Sequence, residues 1–392
     1  MSGIDSQLRD LLDAAVGEPP HRVTPEAVRR RVRRRRLKEG ACAALAALVL
    51  AGFGVTVAAV RSGPGPADIG GFAPGLPRYY VQDAFQASGP VVRATATGAV
   101  TARIKCPWRG ARVAGGEFAA TTGPAYFLVC QQTVQRGQEY RVTGSRIYRF
   151  QVTGSGRVSG YSLVPGGVLG KQTAQALTAS PDGSQVAVTV GPEPIGGAAS
   201  VPDQILIINT RTGARAVWHG TAKLFGAEVV SFIHQGRDLV FAGTTKCTPS
   251  KHSATCRTLR SVSTAAPGGQ IDSSRVLLPL SALLRSPGDY INDVVVSQDG
   301  ATLTAAVMRS PGRGSNQVLI VRFSATGRQL RVLYRMRTGN GFMYRFFGAD
   351  PSGRYLLLDA GPTSATVNGW IDHGRLIPLT PSDGSNLLNE VW

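Results

Sequence analysis

Apolar runs alternate with glycine-centred turns along most of this chain. A turn containing glycine precedes an apolar strand at six places: Gly75 before RYYV, Gly123 before AYFLV, Gly183 in SPDG before QVAVTV, Gly236 in HQG before DLVFAG, Gly300 in SQDG before TLTAAV, and Gly353 in DPSG before YLLLDA. The intervals between these glycines are 48, 60, 53, 64 and 53 residues, a period that points toward propeller repeats. Downstream in each unit two further strands flank a Gly turn, as in IYRFQVTGSGRVSGYSL, QILIINTRTGARAVW and QVLIVRFSATGRQLRVLY; the fourth copy, RTLRSVSTAAPGGQIDSSRVLL, is looser. Such turns close hairpins. Two turns per unit predict four strands per unit, and six units predict an all-β, six-bladed propeller over 75–392. The C-terminal NLLNEVW reads as one more strand, placed to complete a short first blade.

The first 74 residues follow a different pattern. Residues 40–60 (GACAALAALVLAGFGVTVAAV) carry no charge over 21 positions, which at 1.5 Å per residue spans roughly 31 Å and matches the hydrocarbon core of a bilayer. Residues 29–38 hold eight Arg or Lys and no acid, whereas only Arg61 closely follows the run. The positive-inside rule then predicts a cytoplasmic tail (1–39), one transmembrane helix (40–60), a Gly/Pro-rich linker (61–74) and an extracytoplasmic propeller in a single-pass cell-membrane protein. A cleaved signal peptide fits less well, because the charged region before the run is far longer than an ordinary n-region. Within the tail, Ile4, Leu8, Leu11, Leu12 and Ala15 share one helical face, read either as a docking helix for a cytoplasmic protein partner or as a plain tail.

Composition changes this picture little. Hydrophobic content of 43%, 48 glycines and 17% charged residues suit a turn-rich globular domain rather than a disordered chain. A formal charge of +19 raises nucleic acid as a partner. The predicted topology instead assigns the Arg cluster to orientation, so the expected partners are the membrane and an extracytoplasmic ligand or protein, with no nucleic acid.

The turns SPDG, SQDG and DPSG, each followed by an apolar strand, resemble the blades of TolB-like and WD-repeat-like propellers, and this resemblance implies that the Asp-Gly turn joins the inner two strands of a blade. The layout of basic tail, apolar run and propeller also resembles uncharacterised actinobacterial membrane proteins, some with tails like those of membrane-bound anti-sigma factors. Four cysteines follow the apolar run, an even number suited to disulfides outside the cytoplasm. The spacing favours Cys247 with Cys256 across the polar loop TPSKHSAT, and Cys106 with Cys130 between the first two units; free buried thiols are the alternative.

No nucleophile elbow, HExxH helix or P-loop occurs. His21, His219, His234, His252 and His373 are scattered, and Asp182 and Asp299 sit in blade turns where aspartate bonds its own backbone. The expectation is therefore no catalytic, metal or cofactor residue, no cofactor, and a non-enzymatic binding, sensing or scaffold protein. The alternatives are an anti-sigma-like regulator acting through the tail and a propeller hydrolase with acids or a Ser/His pair at one channel mouth.

Overall fold

The chain divides into two compact units, Met1–Gly71 and Phe72–Trp392. The computed structural model describes residues of the second: 76–84, 90–136, 139–191, 203–221, 224–245, 257–286, 289–309, 316–338, 342–350, 355–362, 367–372, 375–378 and 387–391.

Twenty-five strands follow one another among the described residues. They begin with β1 (Tyr79–Ala84), β2 (Val91–Ala94), β3 (Val100–Arg103), β4 (Arg112–Ala120), β5 (Ala125–Arg136), β6 (Glu139–Val152) and β7 (Val158–Gly170). Next come β8 (Thr173–Ala179), β9 (Gln185–Gly191), β10 (Gln204–Asn209), β11 (Arg215–His219), β12 (Leu224–Ile233), β13 (Asp238–Thr245), β14 (Arg257–Ser263), β15 (Gly268–Gln270) and β16 (Arg275–Pro279). The last are β17 (Tyr290–Val296), β18 (Thr302–Arg309), β19 (Asn316–Ser324), β20 (Gln329–Thr338), β21 (Phe342–Ala349), β22 (Leu356–Pro362), β23 (Val367–Asp372), β24 (Arg375–Pro378) and β25 (Leu387–Val391).

These strands form sheets ordered β25-β1-β2-β3, β4-β5-β6-β7, β8-β9-β10-β11-β15, β12-β13-β14-β16, β17-β18-β19-β20 and β21-β22-β23-β24. Strands β4, β8, β12, β17, β21 and β25 each lie at the inner edge of their sheet and touch one another in that cyclic order, β21 meeting β25 and β25 meeting β4. The ring closes because β25 pairs antiparallel with β1, so the C-terminal strand supplies the innermost position of the first sheet. This is an all-β propeller.

Radial sheets are covered on both faces, and the sequence shows it. The second and third strands of the third sheet, QVAVTVG and QILIIN, are apolar at nearly every position rather than at alternate ones. Val186, Val188 and Val190 of β9 pack toward the second sheet with Phe127, Val129 and Ile147, while Ala187 between them packs toward the fourth with Phe232, Leu239 and Phe241. Three other interfaces between consecutive sheets repeat the arrangement, as where Ala305 and Val307 meet Val240 and Leu259, and Ala306 and Met308 meet Leu356 and Leu358.

Two parts of the sequence expectation are corrected. Five sheets, not six, have the expected four strands; the third takes a fifth, β15, which runs parallel to β11. That strand comes from the loosest repeat, where the connection from β14 to β16 is too long for a tight turn. It reaches the edge of β11 at Gly268, whose φ of +113° and close approach to the Val217 carbonyl exclude a side chain. Second, the described residues contain no α-helix, and none of their helices is long and apolar enough to cross a membrane. The tail at 1–39, the span at 40–60 and the linker at 61–74 all lie outside the described residues. The helical tail and transmembrane helix are therefore removed from the fold, and the single-pass cell-membrane location is not carried forward.

Candidate ligand site at the upstream mouth of the ring

The chain enters every innermost strand at the same face of the propeller, here called upstream, and leaves all of them except β25, the last strand, through a short turn on the downstream face. The downstream turns are tied to one another. The Thr122 N–H and hydroxyl both donate to the Pro181 carbonyl at 2.9 and 2.8 Å, and the His234 N–H donates to the Gln298 carbonyl at 2.6 Å. Asp182 and Asp299 belong to this collar, in turns that join the innermost and second strands of their sheets. Asp182 accepts from the Ser184 N–H at 3.0 Å and the Ser180 hydroxyl at 2.7 Å; Asp299 accepts from the Ala301 N–H at 2.9 Å and the Ser297 hydroxyl at 2.6 Å. Partial burial opposes ionisation of Asp182, but these hydrogen bonds outweigh it and hold the carboxyl below the usual aspartate range. For Asp299 the Ser297 hydroxyl is the largest influence, and it lowers the carboxyl in the same way. Both act as turn locks.

His234 occupies the equivalent turn of the fourth sheet. Its φ is 51° and that of Gln235 is 61°, left-handed values that cost energy in residues with a side chain. Its Nδ1 lies 2.8 Å from Asp238 Oδ2, while among the described residues no nucleophile hydrogen-bonds its ring. His219 ends β11, exposed; His21, His252 and His373 lie outside the described residues, as do Cys247 and Cys256. Cys106 and Cys130 form a disulfide with Cα atoms 5.9 Å apart, joining the segment after the first sheet to the second.

Near its upstream end every innermost strand breaks register with its neighbour. The extra residues are 114–117 on β4, Gln175 on β8, Gly226 and Ala227 on β12, Asn292 on β17, Arg345 on β21 and Asn389 on β25. Each lies within a few residues of the strand's start, so the irregularities share one level of the ring. Bulges kink a strand and re-aim side chains, and they gather at barrel rims and active sites.

Asp203 shows what the bulges do. It precedes β10 at the upstream end, and its carboxylate accepts from Gln175 Nε2 at 3.3 Å and from the N–H groups of Gly226 and Ala227. Two neighbouring bulges thus meet on one carboxyl. Burial is the dominant influence and raises Asp203 above the usual aspartate range, with the three donors pulling it back. Gly191 stands against this pair; a Cβ there would lie 2.6 Å from both Asp203 Oδ1 and Gln175 Nε2. Farther round the mouth, Glu228 pairs with Arg257 at 2.7 Å and the buried Asp289 with Arg309 at 3.3 Å, while half-buried Asp293 follows the β17 bulge. Four carboxyls and the guanidiniums of Arg257 and Arg309 thus gather on this side of the ring, where the exposed Arg112 opens β4.

None of these residues stood out in the sequence. A bulge breaks the alternation that sequence reading depends on, so Gln175 and Glu228 look like ordinary strand residues.

A stability measurement isolates Asp203. Its raised pKa means that ionisation costs stability: the penalty is absent below the ordinary aspartate range and complete above the folded-state value. The parent's stability relative to Asp203→Asn is therefore expected to be greatest at acid pH and to fall as pH rises. Asp203→Ala is expected to lose about 1–3 kcal/mol, since two backbone N–H groups lose their acceptor. Urea denaturation between pH 4 and pH 8 checks both.

No protein-family model matches the chain. None of the curated proteins matches it either. Among solved structures it is similar to a prolyl endopeptidase, at 13% identity over 68% of this chain and 42% of that one, with a TM-score of 0.38. It is also similar to the Synechocystis apocarotenoid oxygenase, at 10% identity over 76% and 67% of the two chains with a TM-score of 0.45. A third is the β-propeller domain of Myceliophteria thermophila Swd1, at 10% identity over 80% and 83% with a TM-score of 0.41. The likeness is one of propeller fold, and the chain spans less than half of the prolyl endopeptidase. What stands of the sequence resemblance is the propeller, without the actinobacterial membrane protein. The expectation of a protein without enzymatic activity rested on the scaffold and on missing motifs; a propeller scaffold hosts many functions, so that expectation does not stand.

Proposed function

We propose that this protein is a ligand-recognition propeller whose site is the upstream mouth of the ring, and that the ligand is a small cation bearing hydrogen-bond donors. The observation that carries the reading is the level of bulges repeated on all six innermost strands. Beside that level stand Gln175, Glu228 and Asp293, with Asp203 behind them. A linear polyamine is the probe. Calorimetric titration is expected to show saturable binding that weakens about tenfold in Glu228→Gln and in Asp293→Asn, the effect of one charge-assisted hydrogen bond. Equal affinity in the parent and both variants would refute the mouth as the site.

One observation favours a second reading. Asp203 is a carboxyl held toward its neutral form at that same mouth, the property a general acid needs. The alternative is a hydrolase that uses it. Release of nitrophenol from a chromogenic ester or glycoside by the parent, lost in Asp203→Asn, would support this reading.

A further inference from the structure

The first two sheets carry a strongly basic surface. Residues 76–172 hold twelve Lys or Arg against three acids. Two of the cations, Lys105 and Arg109, belong to one segment, 104–111, that links β3 to β4. This segment is fastened at four points. The Ile104 N–H donates to the Pro90 carbonyl at 2.8 Å, the Lys105 N–H to the Tyr161 hydroxyl at 3.3 Å, Cys106 is cross-linked to Cys130, and Gln132 Nε2 donates to the Arg109 carbonyl at 2.9 Å. Trp108 is pinned as well. The Arg146 guanidinium lies 3.9 Å from its ring centroid, and its edge rests on Gly144, where a Cβ would fall 2.6 Å away.

The segment therefore presents Lys105 and Arg109 in fixed places, with Arg112 following on β4. All three are exposed, and among the described residues no carboxylate is paired with them. Beside them β5 and β6 continue as a two-stranded arm past the point where β4 pairs, from Gln132↔Gly144 out to Arg136↔Glu139, with Val134 48% exposed. A rigid, cross-linked display of unpaired cations next to a projecting arm loses little entropy on binding an anion, which is what pre-organisation contributes.

We infer that this surface binds a linear polymer carrying repeated phosphate groups. Phosphate oxygens point in several directions and can satisfy Lys105 and Arg109 together, the lysine as a point charge and the arginine through its fork. Nucleic acid is the less suitable polyanion. Single-strand binding relies on open aromatic platforms, whereas the Trp108 ring is already stacked by Arg146 and the Tyr161 hydroxyl is engaged by the Lys105 N–H. Lys105 and Arg109 lie on the segment before β4 rather than among the carboxyls of the mouth, and the inference does not depend on the function proposed for the mouth.

The test uses the full chain and a fluorescently labelled linear sodium polyphosphate. Anisotropy titration is expected to give saturable binding that weakens as salt rises, and the double variant Lys105→Gln/Arg109→Gln is expected to bind about tenfold or more weakly with a shallower salt slope. Both residues are exposed, so the variant's unfolding temperature should stay at the parent value. Arg331→Gln/Arg335→Gln removes the same charge from β20 and should bind within about twofold of the parent. An equal loss in that control, no salt-dependent binding by the parent, or tighter binding of single-stranded DNA than of polyphosphate would overturn the inference.

Discussion

Removing residues 386–392 is expected to abolish cooperative folding of the propeller. The deleted segment contains β25, whose pairings run from Ala84↔Leu387 to Val81↔Val391. Without it β1 becomes an inner edge with unpaired backbone groups, and the buried Val81 and Tyr80 lie beside that edge. The loss is not confined to one sheet. β25 also separates β21 from β4 in the ring, so its removal opens the circle at the place where the first and last sheets meet. A ring of radial sheets depends on each sheet having a neighbour on both faces, and opening it exposes two faces at once. The expected outcome by circular dichroism is a midpoint lower by more than about 10 °C, or no single transition at all. Deleting Trp392 alone leaves every pairing of β25 in place and should unfold as the parent does. A truncated chain that melts within a few degrees of the parent would mean that closure contributes little.

That strand is legible in the sequence, because NLLNEVW follows the last repeat and the first repeat is short of a strand. The Gly turns are legible for the same local reason: Asp182 and Asp299 lock their turns through neighbours two residues away, and sequence carries such contacts directly. What escapes is set at a distance. β15 joins β11 through a parallel pairing that links residues 217–219 with 268–270, and no local pattern marks a strand of three residues. The mouth escapes for a related reason. Asp203 acquires its character from burial, opposed by Gln175 and by backbone donors at Gly226 and Ala227 on two other strands, and the bulges that bring them together leave no trace in the alternation of β8 or β12.

Phe127→Ala is expected to be the most damaging single substitution in the described core. Phe127 lies on β5 with its side chain fully buried between the second and third sheets, among Val129, Ile147, Val186 and Val188. Its ring also reaches the downstream collar: a Cβ on Gly183 would come within 3.9 Å of the ring and 3.1 Å of the Thr121 methyl. One side chain thus fills the inter-sheet core and supports the SPDG turn whose Pro181 carbonyl holds Thr122. Truncating a buried Phe to Ala costs about 3–5 kcal/mol, because the surroundings close only part of the cavity. For a domain of this size that corresponds to a fall in midpoint of roughly 6–20 °C, a large fraction of the stability a native protein has. Phe127→Leu keeps most of the volume and should cost under about 1.5 kcal/mol. Guanidinium denaturation gives the magnitude. Hydrogen exchange at the Gly183 and Gln185 amides, which donate to the Ser180 carbonyl and hydroxyl of the turn, separates a local from a global effect. If the ring supports the turn, those two amides lose protection in Phe127→Ala by more than the global change requires, whereas in Phe127→Leu they follow it. Protection that tracks global stability in both variants would reduce Phe127 to an ordinary core residue and remove the coupling between inter-sheet packing and the collar.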